Sequence, residues 1–243
     1  MRKPVRQSEF GAVTHVGLVR DNNEDSYAAA PELGLWLVAD GLGGCEGGEV
    51  ASRIVAEHVA ECVRNGMSIE EAIASSHDAV IAASQDGIGK KGMGSTVVAA
   101  VLAGNAYRIA WVGDSRAYLW NQEHLVQLTR DHSLLQELLD KGDLEQEEAD
   151  GNPLGSVLTQ CIGQEKSAPL EIEVEEGELY QGDRILLCSD GLYGEVGDEE
   201  VASIFAQAMD NQRTAESLVR AALDNGGSDN VTVLVISAPD DAA

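Results

Sequence analysis

Residues 95–120, STVVAAVLAGNAYRIAWVGDSRAYLW, contain three apolar runs in direct succession. The runs span 95–103, 106–113 and 116–120, and their length and apolar content are typical of buried strands. No helical pattern separates them, as it would in a doubly wound parallel sheet. The stretch therefore favours sheets that stack on each other over strands that alternate with helices.

Apolar runs outside this stretch extend the same pattern. Residues 34–39, 172–174, 184–188 and 230–236 also read as strands. Helical periodicity occurs at 47–65 and 68–85, where Ser68 and Glu71 form a capping box at the start of the second helix. A second pair of helices is predicted at 198–209 and 214–225. Because the helices come in pairs and the strands in runs, we expect stacked sheets covered by helices.

A polar segment at 131–163 interrupts this order. It contains a predicted helix at 133–141, an acidic run at 145–148 and the turn residues Gly151, Asn152 and Pro153. We interpret it as a surface excursion, of the kind that often controls access to a site. His132 and Ser133 resemble part of a hydrolase triad, but we predict a helix cap near Ser133 instead.

The composition excludes several classes of protein. The chain has 243 residues, a formal net charge of −26 and 44% hydrophobic residues. Such acidity disfavours binding to nucleic acid or to an anionic membrane. The four cysteines lack zinc-type spacing, and no apolar run is long enough to span a bilayer. We therefore expect one domain over residues 1–243, located in the cytoplasm.

Four aspartates stand at the ends of predicted strands: Asp40, Asp114, Asp190 and Asp229. Each one alone is best explained as a turn residue. However, four carboxylates beside a core are costly to desolvate unless they turn to water or converge on a cation. Since no histidine accompanies them, these oxygen ligands suit magnesium or manganese. Two such ions sharing a carboxylate can activate a water molecule as a nucleophile.

Arg20 lies in the acidic segment RDNNED (20–25). Its planar guanidinium could grip two oxygens of a phosphate group. The alternative is a surface arginine paired with Asp21 or Glu24.

These residues belong to a set of motifs that resembles the metal-dependent protein phosphatases of type 2C, the PPM family, and especially its stand-alone bacterial members. In family order, the motifs are RDNNED (20–25), VADGLGG (38–44), GGEVAS (47–52), GSTV (94–97), VGDSRAY (112–118), LTRDHS (128–133), SDGL (189–192) and GSDNVTV (227–233). The resemblance implies an α+β fold, a four-layer αββα sandwich of two mainly antiparallel sheets flanked by helix pairs. It implies that the excursion at 131–163 is the flap of the bacterial members.

The resemblance also implies roles for individual residues. Asp40 would bridge two tightly bound manganese or magnesium ions, and Asp190 and Asp229 would complete the first site. The carbonyl of Gly41 and the side chain of Glu24 would serve the second site. Arg20 would bind the substrate phosphate, and Asp114 would hold a third, weaker ion.

Two positions depart from the family pattern. Leu42 replaces a histidine that many eukaryotic relatives carry and that has been proposed as a general acid. Gly194 replaces a frequent acidic residue, so the third metal site is predicted to be weaker unless Glu195 substitutes.

The predicted function is hydrolysis of phosphoserine and phosphothreonine in proteins, with a metal-bridged water as nucleophile. The expected partners are phosphorylated proteins, as substrates shared with a cognate serine/threonine kinase, and the chain is expected to be a monomer. The alternatives are a small phosphate ester hydrolase and a non-catalytic phosphoprotein-binding module on the same fold.

Overall fold

The computed structural model describes residues 8–42, 47–145, 148, 152–164 and 170–238. In chain order, its strands are β1 Phe10–His15, β2 Ser26–Ala30, β3 Leu35–Ala39, β4 Gly41–Leu42, β5 Gly94–Ser95, β6 Val97–Ala103, β7 Ala106–Val112, β8 Arg116–Trp120, β9 Leu125–Gln127, β10 Glu173–Glu178, β11 Arg184–Cys188 and β12 Val231–Ser237. Its helices are α1 Gly48–Arg64, α2 Ile69–Gln85, α3 Leu134–Lys141, α4 Asp190–Tyr193, α5 Asp198–Phe205 and α6 Asn211–Asn225.

The strands form two five-stranded sheets, and every pairing among the described strands is antiparallel. The first sheet has the order β1-β12-β11-β8-β9, and the second has the order β10-β7-β6-β3-β2. Strands β4 and β5 form a separate two-stranded ribbon. The first and the last strands of the chain are therefore neighbours, since Phe10 pairs with Ile236 and His15 with Val231.

Three apolar clusters hold the layers together. One joins α1 and α2 to the second sheet through residues such as Val55, Ile73 and Leu37. Another lies between the two sheets and includes Trp36 and Ile185. The third joins the first sheet to α5 and α6. The order of layers is thus helix, sheet, sheet, helix, which confirms the predicted αββα sandwich.

The predicted strand at 95–103 is wrong in one detail, because it divides at Thr96 into β5 and β6. Ser95 pairs with Gly41, whereas Val97 pairs with Val112. Thr96 between them donates its amide to the Asp40 carbonyl (2.8 Å) and accepts the Asp40 amide on its hydroxyl (3.0 Å). The break in the strand therefore fixes the backbone of Asp40.

The second helix pair also differs from its predicted bounds. Helix α5 ends at Phe205, four residues early, and Ala208 beyond it has a positive φ of 51°. Helix α6 starts at Asn211 rather than at residue 214, because Asp210 caps it by accepting the Arg213 amide at 2.8 Å. Among the described helices, none is both long and apolar enough to cross a bilayer.

Candidate active site

A cavity of about 500 Å³ opens where strands of both sheets end. It is lined by Val19, Arg20, Asp21, Asn22, Glu24, Asp40, Gly41, Leu42, Asp114, Ser156, Leu158, Asp190, Asp229 and Asn230. All seven residues singled out from the sequence are in this set. The fold brings the four aspartates together because they lie at strand ends. Asp40 directly follows β3, Asp114 and Asp190 follow β7 and β11 after one residue, and Asp229 precedes β12 by one residue.

Gly41 allows the loops around the cavity to approach one another. A Cβ atom at this position would collide with the backbone of Gly48 in α1 and come within 2.6 Å of the Glu24 carbonyl oxygen. The absence of a side chain thus lets α1, the β3–β4 connection and the Glu24 segment meet beside Asp40.

Asn230 ties the Arg20–Glu24 segment to the last strand. Its side-chain oxygen accepts the Glu24 amide at 2.7 Å, and its nitrogen donates to the carbonyls of Val16 and Asn22 at 2.9 Å each. Sequence reasoning identified Asn230 only as the start of a strand. A signal was present in the adjacent Asp229, but the partners lie more than 200 residues away in the chain.

Buried negative charge dominates the site. Burial, then repulsion from Asp25, Asp190 and other carboxylates, holds the pKa of Asp40 well above its usual value. Burial and the charge of Asp229 raise the pKa of Asp190 to about 6, although a hydrogen bond with Asp40 opposes the shift. Burial and the charge of Asp190 raise the pKa of Asp114 to about 8. The carboxylates in the cavity are therefore stabilised when they bind protons or metal cations.

Asp25 is a further carboxylate that sequence reasoning missed. It accepts a 2.7 Å hydrogen bond from the Ser189 hydroxyl, next to Asp190, while its Oδ1 atom is buried and unpaired. Burial is the main reason that its pKa is raised to about 7. Asp25 looked like an ordinary polar loop residue, because only the folded chain buries it against the strand end of β11.

Arg20 supplies the one guanidinium among the residues that line the cavity. Its Nη2 atom lies 2.6 Å from Asp229 Oδ2, so its partner is Asp229 rather than the sequence neighbours Asp21 or Glu24. The pair is open to solvent, and such exposed pairs contribute little to stability. Arg20 can therefore exchange Asp229 for another anion at small cost.

The backbone of Asp114 is fixed from α4. The Tyr193 hydroxyl donates to the Asp114 carbonyl at 3.0 Å, and the guanidinium of Arg116 lies 3.6 Å from the centre of the Tyr193 ring. Arg116 in turn donates twice to Asp131, with distances of 3.0 and 2.7 Å. Asp114 and Asp190 are thus joined through one short helix.

Glu195, the suggested substitute for the carboxylate missing at Gly194, has another contact in the structure. It is not among the described residues that line the cavity, and its Oε1 atom accepts the Ser228 amide at 2.9 Å. Its side chain thus holds the loop that leads to Asp229. This arrangement gives no support to a third metal site completed by Glu195, which stays a prediction.

The excursion reaches the cavity wall. Ser133 caps α3 by accepting the Gln136 amide at 3.2 Å, which confirms the predicted cap, and its backbone pairs with Leu158. A short 3-10 helix at Pro153–Ser156 precedes Leu158, and Ser156 and Leu158 both line the cavity. Residues 146–147 and 149–151 of the excursion, like Cys45 and the glycines at 43–44, lie outside the described residues.

The donor set of the cavity fits hard divalent cations. Six carboxylates and the backbone of Gly41 line it, with no histidine or cysteine among the described lining residues. Within the described part of the chain, no three carboxylate, imidazole or thiolate side chains already close on one point to hold a metal ion.

Comparison with known proteins gives an independent line of evidence. The sequence model of the family described as Protein phosphatase 2C matches residues 19–225. The serine/threonine protein phosphatase PstP of Mycobacterium tuberculosis is 37% identical over 239 residues, which is 95% of this chain and 45% of that protein. The serine/threonine phosphatase stp of Listeria monocytogenes is 31% identical over 236 residues, 92% of this chain and 93% of that one.

A solved structure extends the similarity to three dimensions. The catalytic domain of PstP in complex with two manganese ions aligns with a TM-score of 0.84 and 34% identity, covering 96% of this chain and 99% of that one. The chain thus spans less than half the length of PstP but nearly all of its catalytic domain and of the Listeria relative.

Proposed function

Because the chain belongs to the protein phosphatase 2C family, we propose that it is a metal-dependent serine/threonine phosphatase acting on phosphorylated proteins. The observation that carries the proposal is one cavity that gathers six carboxylates and a single guanidinium from both sheets. The carboxylates compensate divalent cations, and the guanidinium compensates a phosphate.

Each residue has a defined part in the proposed reaction. Asp40, Asp190 and Asp229 would hold one manganese or magnesium ion, and Asp40 with the Gly41 carbonyl and Glu24 would hold a second. When bound, the two ions would supply an activated water and neutralise phosphate charge. Arg20 would exchange Asp229 for the phosphate group and orient it through its planar fork. Asp114 would hold a third, weaker ion from the side of β7.

The proton for the leaving alkoxide does not come from Leu42. This side chain lines the cavity at the position where many eukaryotic relatives carry histidine, and it has no proton to donate. The proton therefore comes from another group in the cavity or from water.

Hydrolysis of a phosphothreonine peptide in the presence of manganese, and its loss in excess chelator, tests the proposal. The same assay with 4-nitrophenyl phosphate separates a protein phosphatase from a hydrolase of small esters, which would favour the small compound. Binding of the peptide without turnover in manganese would identify a non-catalytic module and contradict the proposal.

The proposal extends to the substrates of the protein, its oligomeric state and its location. We propose that the substrates are those of a cognate serine/threonine kinase, that the chain acts as a monomer, and that it works in the cytoplasm. The net charge of −26 supports a monomer kept apart from other acidic macromolecules.

A further inference from the structure

The mouth of the cavity carries an apolar rim, which we define as Val19, Leu42 and Leu158 together with the adjacent Leu18 and Val157. Three of these side chains are well exposed: Val19 by 69%, Leu18 by 65% and Val157 by 46%. Val19, Leu42 and Leu158 line the same cavity as the carboxylates. Apolar side chains grouped beside a polar cavity, unlike single exposed ones, are typical of surfaces that bind a ligand or a partner.

The exposure of Leu18 and Val19 is built into the backbone. The Leu18 amide donates to the Gly227 carbonyl at 2.7 Å, which fixes the segment on the loop before Asp229. Gly17 has a φ of +82°, and a Cβ atom there would collide with the Asp229 carbonyl. The segment is therefore packed tightly by its main chain while its two apolar side chains face solvent.

The rim lies close to the residues that flank a phosphoserine or phosphothreonine bound in the cavity. Val19 precedes Arg20, the proposed phosphate ligand, and consecutive Cα atoms of an extended peptide are about 3.8 Å apart. Because Val19, Leu42 and Leu158 line the same cavity as Arg20, a peptide whose phosphate meets Arg20 brings its neighbouring residues close to the rim.

The charge of the cavity and the polarity of the rim determine which flanking residues of a phosphopeptide bind well. Six carboxylates, one guanidinium, two divalent ions and a bound phosphate leave the cavity net negative, which disfavours an acidic residue beside the phosphate. The rim itself offers no hydrogen-bonding side chain at Val19, Leu42 or Leu158. Apolar side chains, in contrast, gain by covering the rim.

We infer that the apolar rim is a specificity surface for phosphorylated peptides that carry an apolar residue next to the phosphoserine or phosphothreonine. This inference rests on the proposed phosphatase function. Its partner is a protein segment in extended form, with the phosphate in the cavity and the flanking apolar side chain on Val19 and Leu158.

The test compares phosphothreonine peptides that differ only in the residues flanking the phosphothreonine, which are leucine, serine or aspartate. With manganese present, the kcat/KM for the leucine peptide should exceed that for the serine peptide by about fivefold, and that for the aspartate peptide should be lowest. In Val19→Thr, which keeps the β-branched shape, the ratio of leucine to serine peptide should fall close to one. Val126→Thr is the matched control, since Val126 is a half-exposed valine on β9 outside the cavity.

Equal turnover of the leucine and serine peptides by the unaltered protein, or an unchanged ratio in Val19→Thr, would overturn the inference. The rim could instead bind a second copy of the chain, and light scattering tests this alternative. If Val19→Thr alters the molecular mass in solution while the ratio of kcat/KM for the leucine and serine peptides stays constant, the rim joins two copies of the chain. If no peptide is hydrolysed at all, the phosphatase proposal fails by itself. Calorimetry with non-hydrolysable phosphonate peptides then still decides the inference, because equal affinities for leucine and serine peptides contradict it.

Discussion

Asp40 illustrates how one residue can serve the proposed reaction at the expense of the fold. Its carboxyl group is buried beside Asp25 and Asp190, and the raised pKa of Asp40 reports the cost of ionising it there. We expect Asp40→Asn to unfold at a higher temperature than the unaltered protein in chelator, because asparagine has no charge that must be neutralised or buried on folding. The same change should abolish tight manganese binding and lower kcat by orders of magnitude.

Thermal unfolding in chelator and calorimetry with manganese check this prediction. Asp78→Asn, which removes an exposed carboxylate from α2, is the control for net charge and should change the unfolding temperature little. A lower unfolding temperature for Asp40→Asn in chelator would contradict this expectation.

Asp114 should contribute to catalysis without building the main metal pair. Gly194 offers no carboxylate and Glu195 holds Ser228 instead, so fewer charged ligands remain for a third ion. We expect Asp114→Asn to lower kcat while two tight manganese ions still bind in calorimetry. Loss of one tight ion would assign Asp114 to the main pair, whereas an unchanged kcat at saturating manganese would reduce it to a turn residue.

At the scale of residues, the sequence was sufficient to find the aspartates that line the cavity, but not the residues that hold the surrounding loops in place. Asp40, Asp114, Asp190 and Asp229 were visible because carboxylates at the ends of apolar strands are unusual. Asp25 and Asn230 were not, since their importance arises from contacts that span more than 160 residues of chain. Local sequence patterns do not encode such contacts.

Strands and helices were predictable where a run of buried apolar residues or a capping motif marks them in the sequence. Strands β8 and β11 have the predicted bounds, and α2 begins after the predicted capping box at Ser68. Strands β1 and β2 were missed because FGAVTH and SYAAA lack a long apolar run and lie at sheet edges. Their pairing with β12 and β3 is a property of the assembled sheets.

Helix α3 offers a way to perturb the excursion without touching the cavity. We expect Ser133→Ala to remove the cap of α3, a loss of about 1 kcal/mol, and to loosen the wall formed by Ser156 and Leu158. Turnover of phosphopeptides should then fall more than turnover of 4-nitrophenyl phosphate, because only the larger substrate contacts this wall. The measurement is kcat/KM for both substrates.

A matched control exists in Ser68→Ala, which removes the cap of α2, a helix that does not line the cavity. It should cost similar stability yet leave the ratio of the two activities unchanged. Equal losses on both substrates in Ser133→Ala would assign the excursion to folding rather than to substrate access.

At the scale of the whole molecule, the buried carboxylates make stability depend on pH. Burial raises the pKa values of Asp25, Asp114 and Asp190 to about 7, 8 and 6 in the folded chain, against about 3.9 for unfolded aspartate. The folded state therefore holds protons that the unfolded state releases. This contribution is complete below pH of about 4 and is lost as the pH rises through the folded values.

Without metal, the unfolding temperature should accordingly fall between pH 5 and pH 8. Thermal unfolding in chelator at several pH values measures the slope, which should be smaller in Asp114→Asn. Saturating manganese should reverse the trend, because metal binding requires the ionised carboxylates. A flat or rising profile in chelator would show that the carboxylates are compensated by other means.

The pairing of β1 with β12, described above, joins segments that are more than 200 residues apart in the chain. Asn230, directly before β12, fastens the segment that carries Arg20 and Glu24 over a similar distance. A chain in which β12 has not yet paired lacks both the complete first sheet and these hydrogen bonds. Because contacts of such long sequence separation form slowly, we expect the cavity to be assembled late in folding.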